Sequence, residues 1–214
     1  MPDFELLATL TGEERRQLLA TCTPRRFAKR DIVCHEGDPG DTLHLIRSGR
    51  LIVRVTTPLG HMATLAILGP GDAFGELALL SPDARRTATV VAVEKAETLT
   101  LNRDQLANLR RSHPQIDRIL TYTLAAQVRR LSAMVLEALY LPVETRVARR
   151  LADLAKVYDN GVIYLTQDDL AAMAGTTRAT ANKVLRDLEK VGLLTLSRGT
   201  ITVLDQAKLM NADG

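Results

Sequence analysis

Between Asp31 and Leu80 no apolar run outlasts a short strand. The segment DIVCHEGDPGDTLHLIRSGRLIVRVTTPLGHMATLAILGPGDAFGELALL is cut by EGDPGD, RSGR, TPLGH and GPGD. Gly and Pro at such intervals forbid a helix of ordinary length, whereas Gly, Pro and Asp clusters supply the dihedrals of tight turns. Short apolar runs between closely spaced turns predict an antiparallel barrel or sandwich over residues 25–105. A helical start precedes it over 11–22, where Thr11 stands three residues before Glu14 as a capping box.

The 214 residues suffice for one large domain or two small ones, and 46% hydrophobic with 25% charged residues suits a folded core. The opening residues, MPDFELLATL, show neither a basic start nor an apolar core of signal-peptide length, and no stretch approaches 18 apolar residues, so neither export nor a membrane span is expected. Cys22 and Cys34 form no C-x-x-C pair and have no companions for a metal set; two lone thiols fit a reducing cytoplasm. The net charge of +3 permits an anionic partner without demanding one. After residue 142 the chain carries ten Lys and Arg against nine Asp and Glu, so individual positions must identify any nucleic-acid surface. Aromatics are 3% of the chain and Trp is absent, which argues against a stacking platform for single strands.

From about His113 to Tyr140 the sequence predicts one long helix, with Pro114 in its first turn and Pro142 at its end. Leu120, Leu124, Val128, Leu131, Val135 and Ala138 recur at nearly heptad steps. A helix packed on its own domain would show similar spacing. The length of the helix and the flanking Arg118, Arg129 and Arg130 favour a parallel dimer seam.

In QDDLAAMAGTTRATANKVLRDLEKVGLL, residues 167–194, Ala171 is small where two helices must approach, and Gly175 suits a left-handed turn between them. Thr177 caps a second helix whose Val184, Leu185, Leu188 and Val191 are expected to face inward. The pattern is a helix-turn-helix, and LLTLSRGTITVL adds a hairpin with Ser197-Arg198-Gly199 at its tip, a wing. Thr166, Thr177, Arg178, Ala179, Thr180, Asn182, Lys183 and Arg198 are the candidate DNA-facing positions, rich in donors for phosphates and base edges.

FGELALLSPDARRTATV, residues 74–90, sets Glu76 ten residues ahead of Arg86, with Gly75 before the one and Thr87 after the other. A cyclic nucleotide offers a singly charged phosphate, a ribose 2′-hydroxyl and a flat base. Arg86 can give a planar fork to the phosphate, and Thr87 a hydroxyl. Ionised Glu76 only accepts, and so suits the 2′-hydroxyl. Gly75 admits close backbone approach, while Leu77 and Ala78 dock the segment on the barrel. An ordinary hairpin with a surface Glu–Arg pair would share the residue types but rarely the whole pattern.

These segments together resemble the CRP/FNR family of transcription regulators over essentially the whole chain. EGDPGDTLHLIRSG resembles the turn signature of its cyclic-nucleotide barrel, FGELALL followed by RRTATV its phosphate-binding cassette, and TTRATANKVLRDLEKVGLL its recognition helix. The resemblance implies an α+β chain. Residues 1–112 would form a cyclic-nucleotide-binding β-barrel of jelly-roll type, 113–141 a dimerisation helix, and 142–214 a winged helix-turn-helix. It also implies a homodimer that binds cyclic AMP, reads a palindromic double-stranded site and works with RNA polymerase. Cyclic-AMP-binding members reach the adenine with a Thr-Ser pair on the long helix; the corresponding residues are Leu131 and Ser132, and Leu131 cannot satisfy the adenine amine. Arg178 matches the guanine-reading Arg. Ala179 replaces the Glu beside it, and Lys183 replaces a second base-reading Arg.

Other readings predict different residues. An iron–sulfur oxygen sensor needs four cysteines. A haem-based sensor needs a Cys or His near the cassette, and His44 and His61 read as surface or barrel-edge residues. Members activated by another small molecule, or active without one, remain an alternative. A regulatory subunit of an enzyme would share the barrel but not the winged helix. No nucleophile–base constellation, H-E-x-x-H or G-x-S-x-G is present, so no enzyme, metal site or prosthetic group is expected.

Overall fold

The computed structural model describes residues 2–80, 85–158 and 160–210. The chain divides into two units, residues 1–55 with 65–129, and residues 56–64 with 130–214.

The first unit opens with a 3-10 turn, Glu5–Leu7, and helix α1, Gly12–Thr21. Thr11 caps α1 as its spacing predicts: its hydroxyl accepts from Glu14 N, and its own N–H donates to Glu14 Oε2 at 2.8 Å. The strands are β1 Thr23–Phe27, β2 Ile32–Cys34, β3 Thr42–Ser48, β4 Leu51–Thr56, β5 Met62–Leu68, β6 Ala73–Phe74, β7 Thr89–Ala92 and β8 Ala96–Asn102, with helix α2, Glu76–Leu80, after β6. The four Gly/Pro/Asp clusters fall between consecutive strands from β2 to β6. Two four-stranded sheets result, ordered β1-β8-β3-β6 and β2-β7-β4-β5. Their spatial neighbours are mostly not neighbours in the chain, and the pairings β1–β8, β3–β8, β3–β6, β2–β7 and β4–β7 are antiparallel. This is a jelly roll.

Strand β3 is buried on both faces. Leu43 and Leu45 join Phe4, Leu7, Leu101, Leu109 and Ile116 in a core beneath the helices. The alternate residue Ile46 joins Leu51, Phe74, Val90 and Ala92 inside the roll. Helix α3, Arg103–Ser112, follows β8 with an Asn102–Gln105 capping box. The sequence reading missed it because Leu106 and Leu109 are its only buried residues, too few to show a period.

Helix α4 runs over Gln115–Tyr140, beginning two residues after the predicted start because His113 and Pro114 form the turn before it. Its heptad-like seam divides in two. Ile116 and Leu120 are buried in the core of the first unit, and Leu124 is half-buried. Val128, Leu131 and Val135 are 62%, 38% and 58% exposed. Packing on its own domain thus accounts for the first turns only.

In the second unit helix α5, Val143–Val157, buries Val147, Ala148, Leu151, Ala152 and Leu154. Helices α6, Gln167–Ala174, and α7, Arg178–Lys190, are joined at Gly175, whose φ of +61° is the left-handed conformation that glycine adopts without strain. The wing is β10, Leu194–Ser197, and β11, Thr200–Val203. A third strand, β9 Val162–Ile163, pairs antiparallel with β11. Helix α8 covers Gln206–Met210. Val184 and Leu185 are buried as expected, and Leu188 is half-buried. Val191, expected inward, is 69% exposed. The helix ends at Lys190, so helical periodicity no longer applies at Val191. Among the described residues no helix is long and apolar enough to cross a membrane.

Candidate functional site

Glu76 and Arg86, ten residues apart in sequence, are both buried side chains of the first unit, 6% and 7% exposed. Gly75 makes this possible. Its φ is +96°, and a Cβ there would lie 2.7 Å from the Thr42 carbonyl oxygen and collide with Arg86 Nη1. A side chain at 75 would therefore be strained and would displace the guanidinium. Glu76 opens α2, and Arg103 donates from Nη1 and Nη2 to the carbonyls of Leu79 and Ala78 at 3.0 and 3.3 Å, satisfying the end of that short helix. Ala78 is buried as expected, at 1% exposed, but Leu77 is 39% exposed and only partly docked. Residues 81–84 of the 74–90 stretch lie outside the described residues.

The EGDPGD turn holds the backbone of Arg86. Gly37 N donates to Arg86 O at 2.8 Å, and Arg86 N donates to Asp38 O at 2.9 Å. From the guanidinium, Nη2 donates to Thr42 Oγ1 at 2.8 Å. Nε and Nη1 are buried and have no hydrogen-bond partner among the described residues. Burying such donors unpaired costs about 1–3 kcal/mol each, a cost that an anion accepting from either of them lowers. Glu76 Oε1 accepts from Gln127 Nε2 of α4 at 3.0 Å. Thr87 is exposed. A buried cation with two open donors, a buried carboxylate and a glycine-lined approach fit the phosphate and ribose of a cyclic nucleotide in chemical type. Leu131 and Ser132, assigned by resemblance to the base, are both exposed on the part of α4 that belongs to the second unit.

His44 is 5% exposed rather than at a surface or barrel edge. The second buried face of β3 places it there, a feature that alternation along one strand does not reveal. Its ring stacks on Phe74 at 4.6 Å, and Nδ1 lies 3.1 Å from Thr98 Oγ1. Burial first, then the cations of Arg86 and Arg25, push its pKa down to about 3, so the ring is neutral at physiological pH. His61 is exposed in the β4–β5 hairpin. Burial raises both thiols, Cys22 to about 11.

The second unit presents the start of α7. Thr177 caps it: its hydroxyl accepts from Thr180 N at 3.2 Å and lies 2.9 Å from Thr180 Oγ1. The first turn holds no acid, so the positive end of the helix dipole is uncompensated there. Arg178, Ala179 and Lys183 are exposed, whereas Thr180 and Asn182 are half-buried. Asn182, expected as a free donor, accepts from Gln167 Nε2 at 3.4 Å. Thr166 is exposed, but its hydroxyl donates to Asp169 Oδ2 at 2.8 Å and accepts from Asp169 N, in the cap of α6. Arg178 meets Asp168 at 3.3 Å in an exposed pair that an incoming base edge or phosphate can replace at small cost. Arg198 is exposed at the wing tip.

Sequence reasoning did not find Thr42, Arg103 or Gln127. Each meets the cassette across at least 24 residues of chain, and no local pattern marks such a contact.

Residues 24–113 match the family described as "Cyclic nucleotide-binding domain", and residues 145–212 match the "Crp-like helix-turn-helix domain". The chain is 33% identical over 209 residues to the Cyclic AMP receptor protein of Thermus thermophilus, covering 98% of this chain and 96% of that protein. It is 31% identical over 193 residues to a CRP-like cAMP-activated global transcriptional regulator of Mycobacterium tuberculosis, covering 87% and 86%. Among solved structures, the Catabolite Activator Protein of Thermus thermophilus aligns at 33% identity and a TM-score of 0.58, covering 96% of each chain. The c-di-GMP responsive regulator CLP of Xanthomonas campestris shares the fold, with a TM-score of 0.78 at 24% identity and coverage of 89% and 98%. The chain belongs to the CRP/FNR family of DNA-binding transcription regulators with a cyclic-nucleotide-binding domain.

Proposed function

We propose that this protein is a homodimeric transcription regulator whose DNA binding is controlled by a cyclic nucleotide, with cyclic AMP as the effector. The observation that carries the reading is Arg86: a guanidinium buried beside a glycine-built approach with Nε and Nη1 unpartnered. In this reading Gly75, Glu76, Arg86 and Thr87 hold ribose and phosphate, while Leu77 and Ala78 seat the cassette. Ser132 offers the base a hydroxyl and Leu131 an apolar contact. The relatives from Thermus and Mycobacterium carry names that specify cyclic AMP, which supports that choice of nucleotide. The exposed apolar residues Val128, Leu131 and Val135 of α4 support a two-fold seam centred on the proposed dimerisation helix, 113–141.

The α7 start then enters a major groove of a palindromic site. Arg178 reads a guanine, and Thr166, Thr177, Thr180, Asn182, Lys183 and Arg198 hold phosphates and neighbouring edges. The protein acts in the cytoplasm with RNA polymerase as its partner, and it catalyses no reaction. The effector can favour DNA binding only as far as it binds the competent state more tightly.

Calorimetric titration with cyclic AMP and with cyclic GMP, repeated with a selected DNA site present, tests this. Tighter binding of cyclic AMP with DNA present is expected. Absence of heat and of any thermal shift with either nucleotide at millimolar concentration sinks the effector reading. A second reading, activation by another small molecule, is favoured by Leu131, which has no polar atom for an adenine amine. The same titration decides between the two.

A further inference from the structure

We propose that Thr42 and His44 form a positioning relay that fixes the Arg86 guanidinium for the effector's anionic group, a role that rests on reading Arg86 as the phosphate-holding residue. Thr42 and His44 stand two residues apart on β3, and their side chains meet at Oγ1 and Nε2, 3.5 Å apart. Thr42 Oγ1 is the single hydrogen-bonding partner of the Arg86 fork among the described residues, at 2.8 Å from Nη2. Arginine can only donate, so the threonine oxygen accepts, and its own hydrogen must point away from the cation. His44 Nε2 lies in reach of that hydrogen. It can accept if the ring carries its proton on Nδ1, which then donates to Thr98 Oγ1 at 3.1 Å.

The chain of donors thus runs from Arg86 to Thr42 and, in the same sense, from Thr42 through His44 to Thr98. Each link fixes the orientation of the one before it. The ring is itself held by the stack on Phe74, the residue just before the turn at Gly75. His44 stays neutral under burial and the neighbouring Arg86 and Arg25 cations, so its acceptor nitrogen is preserved. The consequence is functional. With Nη2 held by Thr42, the plane of the guanidinium is fixed, and its unpartnered Nε and Nη1 donors are oriented before the ligand arrives. An oriented fork also distinguishes the two exocyclic oxygens of a cyclic phosphate.

The test compares binding of cyclic AMP and of its two phosphorothioate isomers, each with sulfur in place of one exocyclic oxygen, to wild type, Thr42→Val, Thr42→Ser and His44→Phe. Thr42→Val should weaken cyclic AMP about tenfold, as expected for one charge-assisted hydrogen bond, and should bring the two isomers toward equal affinity. Thr42→Ser should restore both. His44→Phe, which keeps a ring against Phe74, should move the isomer ratio in the same direction as Thr42→Val. A wild type that binds cyclic AMP while Thr42→Val leaves affinity and isomer ratio unchanged overturns the relay and leaves the effector reading standing. Nitrogen-15 NMR of the free full-length chain tests the relay without any ligand. The expected result is His44 protonated at Nδ1, with Arg86 side-chain protons exchanging slowly in wild type and fast in Thr42→Val. A ring protonated at Nε2, or Arg86 signals indifferent to Thr42, overturns it even if no nucleotide binds.

Discussion

Arg86 and His44 show how one buried face sets the chemistry of two very different side chains. In the proposed reading Arg86 holds the effector's anionic group, and Arg86→Ala should abolish most nucleotide affinity, by a factor of about 10–100, since charge-assisted bonds contribute ~1.5–3 kcal/mol. Calorimetry reads this directly, and unchanged affinity would place the anion elsewhere. Gly75→Ala should lose binding as well, because the new methyl group strains the backbone and displaces the guanidinium. His44 instead gives up its charge. Its folded pKa of about 3 lies below the ordinary 6.5, so the unfolded chain binds a proton through that window and the folded chain does not. Stability from this group is complete above pH 6.5 and falls by up to about 1.4 kcal/mol per pH unit as pH drops toward 3. Denaturant titrations from pH 7 to 4 should show this slope in wild type and a flatter one in His44→Phe. Equal slopes would mean that His44 protonates without unfolding.

At the scale of elements, the proposal gives α7 the role toward DNA that β3 and α2 have toward the effector: a regular segment presents a few side chains. Arg178→Ala should cost about 1–3 kcal/mol on the specific site and less on random duplex, and should relax the preference for one guanine in each half-site. In the proposed docking Ala179 should leave the neighbouring pair weakly read, because a methyl group cannot accept from cytosine N4. Ala179→Glu should sharpen cytosine preference there. Site selection from random DNA measures both, and an unaltered consensus for Ala179→Glu would mean that α7 docks in another register. Arg198 at the wing contacts phosphate in this scheme, so Arg198→Ala should weaken all sequences alike and reduce the salt slope by about one.

For the whole molecule, the exposed apolar run on α4 is the proposed dimer seam. Val135→Glu or Leu131→Glu would bury a charge in a two-fold seam and should yield monomers in the ultracentrifuge at micromolar concentration. The proposed site is a palindrome with half-sites ~10–11 base pairs apart, because two helices related by a two-fold enter successive major grooves. Such variants should lose that site while retaining weak non-specific binding. A wild type that sediments as a monomer, or an asymmetric consensus, would rule the dimer out.

What the sequence settled by itself was whatever depends on local backbone preference. The Gly, Pro and Asp clusters of 36–72 place turns because few other residues adopt those dihedrals. The Thr11 and Thr177 caps and the Gly175 turn follow from neighbours within three or four residues, and so does the wing. Glu76 and Arg86, singled out by their spacing, are both buried in the first unit. The tertiary structure alone decided what depends on a second face. Only the packing of helices and a second sheet against β3 buries His44, and only that same packing brings Thr42 to Arg86 and Gln127 to Glu76 across long loops of chain. The heptad-like seam of α4 reads as one pattern in sequence, yet Leu120 is core and Val135 is open, because hydrophobic spacing records that a residue is apolar and not which surface covers it.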